Sequence, residues 1–485
     1  MFTTTELFGR FQSRLQTTVQ RLRHQPLHHL ESLVVHRLKP RFLAPNPKKA
    51  NSRMRLYTPK LSFLAFLDQT LNPGSSCREA ARQVRAYYQG EPDPQRLDEG
   101  TSAYCQARGR WDLGELVEIR RHLADNLPSV PLPLALPVAR PIKLIDGTCL
   151  NLPDTPANRR DYPQSRDQKP ECGFPQLRLV GVFSLQNGAL LERSYSPYTT
   201  SENALYQQLW PTLQPGDILG GDRNFCSWGA MASLKAKGVD SFFRLHASRN
   251  KDFRQGVRLG PDDRLVTLPK PRNKPANLSR QQWNALPATL TVRLVRFRVP
   301  TRNGRCKKIF LLTTLTDPLL WPVKLLAALY ARRWKIELYF DDIKTTLHMD
   351  MLSCLSPAMI HKELEMHLIA YNLVRSLMCE AAVTCHAPLD RLSFKGTLDT
   401  ARQYARTIAQ VPVSNRKLRT RLYVDMLAVI AEDQVPLRPD RFEPRCRKRR
   451  PKAYPLMTQP RRKLRAARVD SLTIRKKSQK STSLT

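Results

Sequence analysis

The sequence offers no Cys-x-x-Cys pair. Its ten cysteines are scattered from Cys77 to Cys446, so neither a zinc ribbon nor a thioredoxin-type site is expected. Ten cysteines in 485 residues read as reduced thiols rather than a disulfide framework. No run approaches the ~18 apolar residues of a membrane span, and Met1 to Arg10 lacks the apolar stretch of a secretory leader. A soluble, cytoplasmic chain with no membrane partner is expected. No internal repeat at a fixed period is present. Negative charge is also scarce: 41 Asp+Glu stand against 80 Lys+Arg, for a formal net charge of +39. A field of that sign attracts polyanions and opposes compaction by self-repulsion. Nucleic acid is the first partner to consider. A basic structural or ribosome-associated protein is the blander reading of charge alone.

The remaining composition, 41% hydrophobic and 25% charged, supports a sizeable core. A length of 485 residues suggests two to four domains at ~100–200 residues each. Residues 1–50 are basic and read as helical or partly disordered. His24, His28, His29 and His36 lie there without metal-site spacing. Leu61, Leu64, Phe66 and Leu67 recur near helical spacing, and Asn72-Pro73-Gly74 ends that helix. Ser76 with Glu79 three positions later then starts a second helix as a capping box. Helix, short turn and capped helix fit a DNA-docking helix-turn-helix and an ordinary helical hairpin equally well. A further helix follows Asp112 to about Leu127. Pro128, Pro131, Pro133, Pro137 and Pro141 form a linker.

Strand signals follow the linker. Pro141 to Ile145 is a short apolar strand ending in Asp146-Gly147-Thr148. Leu177–Phe183 and Leu190–Tyr195 flank Asn187-Gly188, a hairpin signal. A helix over 202–213, a strand from Asp217 to Gly221 ending at Asp222, a helix from Trp228 to Lys237 and a strand over 241–245 complete an α/β sheet with helices packed on it. Residues 246–316 read as a β-rich insertion with strands at 290–299 and 309–315. Long helical stretches follow over 319–347 and 358–382. From Arg438 on the chain is a cationic tail, expected to be poorly ordered in isolation. The expected organisation is therefore a helical N-terminal DNA-binding region over 1–130, a catalytic domain over 131–385, and a helical C-terminal region with a basic tail over 386–485.

Carboxylates at strand ends can converge across a sheet, and hard cations such as Mg²⁺ take oxygen ligands. Asp146 and Asp222 both occupy such positions. Asp217 is a rival to Asp222, but it follows Pro215-Gly216 and a turn role explains it. Asp154, beside Pro153, suggests a loop. The sharper signal lies in the stretch 319–347. On an ideal helix Tyr330, Arg333, Glu337 and Lys344 project to roughly 0°, 300°, 340° and 320°, within about 60° of one another. Ile336, Phe340, Ile343 and Leu347 form the adjacent apolar stripe. A phenol, two cations and a carboxylate on one stripe suit metal ligation beside phosphate contacts. A solvated face with an Arg333–Glu337 pair is the plainer reading. Asp341 projects to roughly 20°, so geometry leaves it open as an alternative to Glu337.

Tyr330-x2-Arg333-x3-Glu337-x6-Lys344 resembles, residue for residue, the Tyr-Arg-Glu-Lys signature of the insertion sequence 4 group of bacterial DDE transposases. Asp146-Gly-Thr148, Gly221-Asp-Arg-Asn-Phe225, His348-Met-Asp350 and His367-Leu-Ile-Ala-Tyr-Asn372 resemble that group too, and the similarity runs from about Leu61 to Pro455. The resemblance implies an RNase H-like core with a β-rich insertion. It selects Glu337 over Asp341 and implies Asp146, Asp222 and Glu337 as catalytic metal ligands, with Tyr330, Arg333 and Lys344 on DNA. It implies two Mg²⁺ ions, replaceable by Mn²⁺, and cut-and-paste transposition: 3′-end hydrolysis, then strand transfer into target DNA. The implied partners are transposon-end DNA, target DNA and a second copy of the chain on paired ends. The implied location is the bacterial cytoplasm, at the nucleoid. Trp283 lies in the region where related enzymes carry a base-stacking tryptophan, but a buried structural role is the plainer reading. An RNase H-like nuclease and a non-catalytic DNA-binding protein are the rival functions.

Overall fold

The computed structural model describes residues 26–44, 56–89, 100–246, 253–300, 306–437 and 456–467. The readings made for residues 1–25, and for the cationic tail apart from 456–467, lie outside the described residues.

The helical beginning comprises α1 (Pro26–Val34), α2 (Pro59–Leu71), α3 (Cys77–Gln89), α4 (Ser102–Gly109) and α5 (Leu113–Asp125). Two of these starts carry the side-chain cap that the sequence suggests. The Ser76 hydroxyl accepts from the Glu79 amide at 3.1 Å, and the Asp112 carboxylate accepts from Gly114 and Glu115 at 2.8 and 3.3 Å, satisfying donors that a helix leaves unpaired. Helix α2 is buried on nearly every face, from Leu61 through Leu71. It packs against α1, α3, α4 and the long helix described below. Helix α3 leaves Arg78 and Arg82 exposed.

The sheet strands are β1 (Ile142–Asn151), β2 (Gln176–Ser184), β3 (Leu190–Pro197), β4 (Ile218–Gly221), β5 (Asp240–Arg244), β6 (Val257–Gly260), β7 (Asp263–Pro269), β8 (Thr289–Pro300) and β9 (Cys306–Thr313). They form one sheet in the order β3-β2-β1-β4-β5-β9-β8-β7-β6. β1, β2 and β3 are antiparallel neighbours, whereas β1, β4 and β5 run parallel. Parallel neighbours need crossovers. α7 (Glu202–Leu209), which follows α6 (Pro156–Asp161), lies in the first crossover, and α8 (Trp228–Ala236) supplies the second. This is the RNase H-like arrangement. β9 pairs antiparallel with β5, so the β-rich stretch containing α9 (Arg280–Ala285) extends the same sheet.

The sheet buries both faces. Leu144, Leu179 and Phe183 point to a core completed by Ile336, Phe340 and Tyr371. Ile145, Val180 and Leu219 point to a second core with Leu205, Met231 and Trp283. Alternation along β1 fixes which residues face which helices. At the β2–β3 turn Gly188 takes φ +71°, a left-handed conformation that glycine adopts without penalty.

Two readings need correction. Asp146 does not end its strand. Asp and Gly commonly form turns, but here the β1–β2 ladder carries them on to Asn151 paired with Gln176. The stretch 319–347 is not one regular helix. It consists of α10 (Val323–Arg332), α11 (Lys335–Asp341) and a π turn at Asp342–Thr346. At the junction Arg333, Trp334 and Ile336 amides bond three residues back, which overwinds the backbone, while the π turn bonds five back, from Leu347 to Asp342, and underwinds it. Trp283 is buried at 7% exposure, with Trp228 edge-on at 5.6 Å and the Lys270 ammonium over its ring at 4.9 Å; its role is structural.

α12 (Pro357–Thr384) is a 28-residue helix buried along most of its length. Its Tyr371 hydroxyl donates to the Gly188 carbonyl at 2.7 Å. Its Asn372 side chain accepts from Leu190 N–H at 2.9 Å and donates to Leu190 C=O at 3.1 Å. The His367–Asn372 motif thus holds the β2–β3 turn. α13 (Phe394–Gln410) and α14 (Arg416–Glu432) pack against each other and α12. Among the described residues, no helix is long and apolar enough to cross a membrane.

Candidate active site

The site begins with strand register. β1 and β4 pair in parallel with Leu144 opposite Gly220 and Ile145 opposite Gly221. The next residues are Asp146 on β1 and Asp222 just past the end of β4, so the parallel register sets the two residues side by side. Two glycines precede Asp222 for a steric reason. A Cβ on Gly220 would stand 2.2 Å from the Phe242 ring, and one on Gly221 would stand 2.9 Å from Ile145. β4 ends at Gly221, and a single 3-10 turn, Arg223–Phe225, turns the chain away.

Asp146 and Thr148 alternate onto the face covered by α11 and the π turn. Arg333 connects this face to the helix. Its guanidinium lies 3.8 Å from Asp146 and 3.0 Å from Glu337. The Lys344 ammonium donates to the Thr148 hydroxyl at 3.1 Å. Tyr330 sits under Arg333, with its ring centroid 5.8 Å from the guanidinium carbon, and its ring meets Phe297 of β8 at 6.0 Å. The structure therefore gathers Asp146, Asp222, Tyr330, Arg333, Glu337 and Lys344 in one region.

The rivals lie elsewhere. Asp217 is buried, ion-paired with Lys143 at 2.5 Å and accepting from the Gln214 amide at 2.7 Å. Asp154 is paired with Arg159. Asp341 is exposed and accepts from the Thr345 hydroxyl at 2.7 Å.

The electrostatics are those of acids held close together. Burial pushes the Asp146 carboxyl from 3.8 up to about 6. The Gly147 amide, donating at 2.8 Å, and Arg333 oppose that rise, while Asp222 and Glu202 add to it. Burial alone would lower the Arg333 pKa, but Tyr330, Glu337 and Asp222 raise it. Arg333 Nε is buried with no hydrogen-bond partner, so the guanidinium keeps a donor in reserve. Among the described residues, no three His, Cys, Asp or Glu side chains form a ready-made cation cage; the acids surround an arginine instead. Their chemistry still suits a divalent ion, since all are hard oxygen donors.

Two neighbours escaped the sequence reading. Glu202 opens α7 and bears on Asp146. Arg244 at the end of β5 bears on Tyr330. Neither belongs to a spaced motif; Ser201 capping a helix after a strand was the only signal for Glu202.

Residues 138–373 match the family described as transposase DDE domain. That stretch contains Asp146, Asp222 and Glu337. The curated transposase InsG for insertion sequence element IS4 of Escherichia coli (strain K12) is 28% identical over 315 residues, 64% of this chain and 68% of the relative. Among solved structures, the piggyBac transposase synaptic complex with hairpin DNA is similar at a TM-score of 0.41 and 9% identity, over 82% of this chain and 84% of that chain. The chain is a DDE transposase of the insertion sequence 4 type.

Proposed function

We propose that Asp146, Asp222 and Glu337 are the catalytic carboxylates of this transposase, and that Tyr330, Arg333 and Lys344 hold the transposon end beside them. The observation that carries the reading is the parallel register of β1 and β4, which sets Asp146 beside Asp222, with Arg333 joining Asp146 to Glu337. The three acids would hold two Mg²⁺ ions, with Mn²⁺ able to substitute. Bound there, the ions would activate the attacking oxygen and stabilise the leaving one.

The protein's own groups supply position and charge. Arg333 presents its planar guanidinium fork to a phosphate. As the phosphate takes over that guanidinium, Asp146 and Glu337 are released from it. Lys344 reaches the far end of the same face, beside Thr148. In the first step a water oxygen attacks the phosphorus at the element's end and the 3′ oxygen leaves, giving a 3′-OH and a 5′-phosphate. In the second that 3′-OH attacks a phosphorus of target DNA, and a target 3′ oxygen leaves. Phosphodiester number is conserved in the transfer, and no covalent protein intermediate is needed. Two ends must be joined, so the working unit is a homodimer on paired ends. It acts in the bacterial cytoplasm, at the nucleoid.

The test is excision and joining from a supercoiled donor plasmid carrying the element's ends, in Mg²⁺ at moderate salt. Wild type is expected to react, Glu337→Gln to lose at least about a hundredfold in rate, and Asp341→Asn to react normally. Equal activity of wild type and Glu337→Gln would remove Glu337 from the site. Cleavage without joining would favour a nuclease, and end binding that survives loss of all three acids without reaction in wild type would favour a non-catalytic DNA-binding protein.

A further inference from the structure

Strands β8 and β9 run on past the sheet, at the end where the acids lie. One register row links Ile145, Gly221, Phe243 and Leu312, so the level of Asp146 and Asp222 is also the level of Leu311. There β5 makes its last pair with β9, and β7 makes its last pair with β8 at Val295. Beyond, from Phe297 opposite Ile309 to Pro300 opposite Cys306, the two strands pair only with each other. The root of this ribbon is fixed beside the site. The Phe297 ring lies 6.0 Å from that of Tyr330, and Arg296 is ion-paired with Asp262 at 2.6 Å. Alternation then sends Val299 and Lys307 to the Tyr330 side and Arg298 and Lys308 to the other. From Arg296 to Lys308 the sequence holds no Asp or Glu. Arg298, Lys307 and Lys308 are exposed, and among the described residues none has an ion-pair or hydrogen-bond partner. Arg298 stands directly opposite Lys308, and like charges so placed weaken a strand pair.

We propose that this ribbon lies in the major groove of the transposon-end duplex next to the scissile phosphate, with Arg298, Lys307 and Lys308 on backbone phosphates. This rests on the assignment of Tyr330 and the acids to the transposon end. Cations on both faces are the reason for a groove. A surface that meets DNA from one side needs them on one face only, whereas a ribbon between two backbones meets phosphate on both. A two-stranded ribbon fits the major groove, about 12 Å wide. The phosphates supply the counter-charge that Arg298 and Lys308 lack within the protein. The ordinary alternative is edge protection, in which charge only stops the ribbon pairing with another chain. That role needs no anion.

The test is binding of the full-length protein to a duplex carrying the element's end, over a salt series, with hydroxyl-radical footprinting of the complex. Arg298→Gln, Lys307→Gln and Lys308→Gln together are expected to weaken binding about tenfold or more and to lower the slope of log K against log salt by ~2–3. They should also expose sugars next to the cleavage position. Tm without DNA should be unchanged or higher, since an opposed like-charge pair is gone. Arg298→Lys, Lys307→Arg and Lys308→Arg together keep the charge and should bind like wild type. Arg416→Gln, Lys417→Gln and Arg421→Gln remove the same charge from exposed positions of α14, and should cost less affinity and leave the footprint intact. Equal losses in the ribbon and α14 variants, both with the wild-type footprint, overturn the proposal and leave only the general field of the protein. End binding that is normal in the ribbon variant but weakened by Lys344→Met overturns the ribbon and leaves the site standing; normal binding in both overturns both. Normal end binding with slower joining assigns the ribbon to target DNA and overturns the proposal as stated. Normal end binding and joining with new aggregation identifies edge protection instead.

Discussion

Asp146→Asn is expected to stabilise the metal-free protein at neutral pH. Burial, with Asp222 and Glu202 adding to it, raises the Asp146 carboxyl from 3.8 to about 6. Between those values the folded state binds more protons than the unfolded state, so stability falls as pH rises through that window and stays low above it. A shift of ~2 units corresponds to ~3 kcal/mol at most. Asp146 keeps 24% side-chain exposure and a cation 3.8 Å away, so ~1–2 kcal/mol is the working figure. Asparagine removes the charge but keeps the oxygen that accepts from Gly147. In EDTA the variant is therefore expected to melt ~1–2 °C above wild type at pH 7.5, since an unfolding entropy of ~2.1 cal/mol/K per residue makes ~1 kcal/mol worth ~1 °C in a chain of 485 residues. The difference should shrink towards zero as pH falls to about 4, where both states of wild type carry the proton. Thermal unfolding in EDTA over that range measures it. A variant that melts below wild type at pH 7.5, or an advantage independent of pH, would refute the argument that buried charge sets the cost of this site.

Three further outcomes follow from particular contacts. Arg120 is fully buried and donates to Glu365 at 3.0 Å, Glu192 at 2.6 Å and the Leu191 carbonyl at 2.7 Å; Arg120→Met should cost ~3 kcal/mol, since it strands buried acids that keep only Arg193 and Arg121, and chemical denaturation should show α5 loosening from β3 and α12. Trp283→Ala should cost ~3–5 kcal/mol as a core cavity, while activity per folded molecule in the plasmid assay stays near wild type. Lys344→Met should weaken end binding across sequences alike and reduce the slope of log K against log salt by about 0.9; an unchanged slope would remove it from the DNA backbone.

Local signals carried much of this fold. Asn187-Gly188 marked a hairpin because glycine accepts the left-handed turn, and capped starts at Ser76 and Asp112 marked helices because their side chains replace missing backbone partners. Tyr330, Arg333, Glu337 and Lys344 share one region although a 3-10 junction and a π turn break their helix. No proline or glycine between Val323 and Leu347 announces either one. Non-local facts were illegible. The Arg120–Glu192–Glu365 cluster joins residues 245 positions apart, and nothing at Glu202 hints that it bears on Asp146.

The same distinction decides what holds the acids in place. A one-residue slip of β1 would turn Asp146 to the α7–α8 face, away from Glu337. The slip is opposed by burial on both faces at once, with Leu144 committed to the core of α11 and α12 and Ile145 to that of α7 and α8. β4 is locked in turn by Gly220, which the Phe242 ring covers too closely for any larger residue. Leu144, Ile145, Gly220 and Phe242 touch no phosphate, yet they set the distance between Asp146 and Asp222. Substitutions there should therefore disturb phosphoryl transfer through register, even where the fold survives.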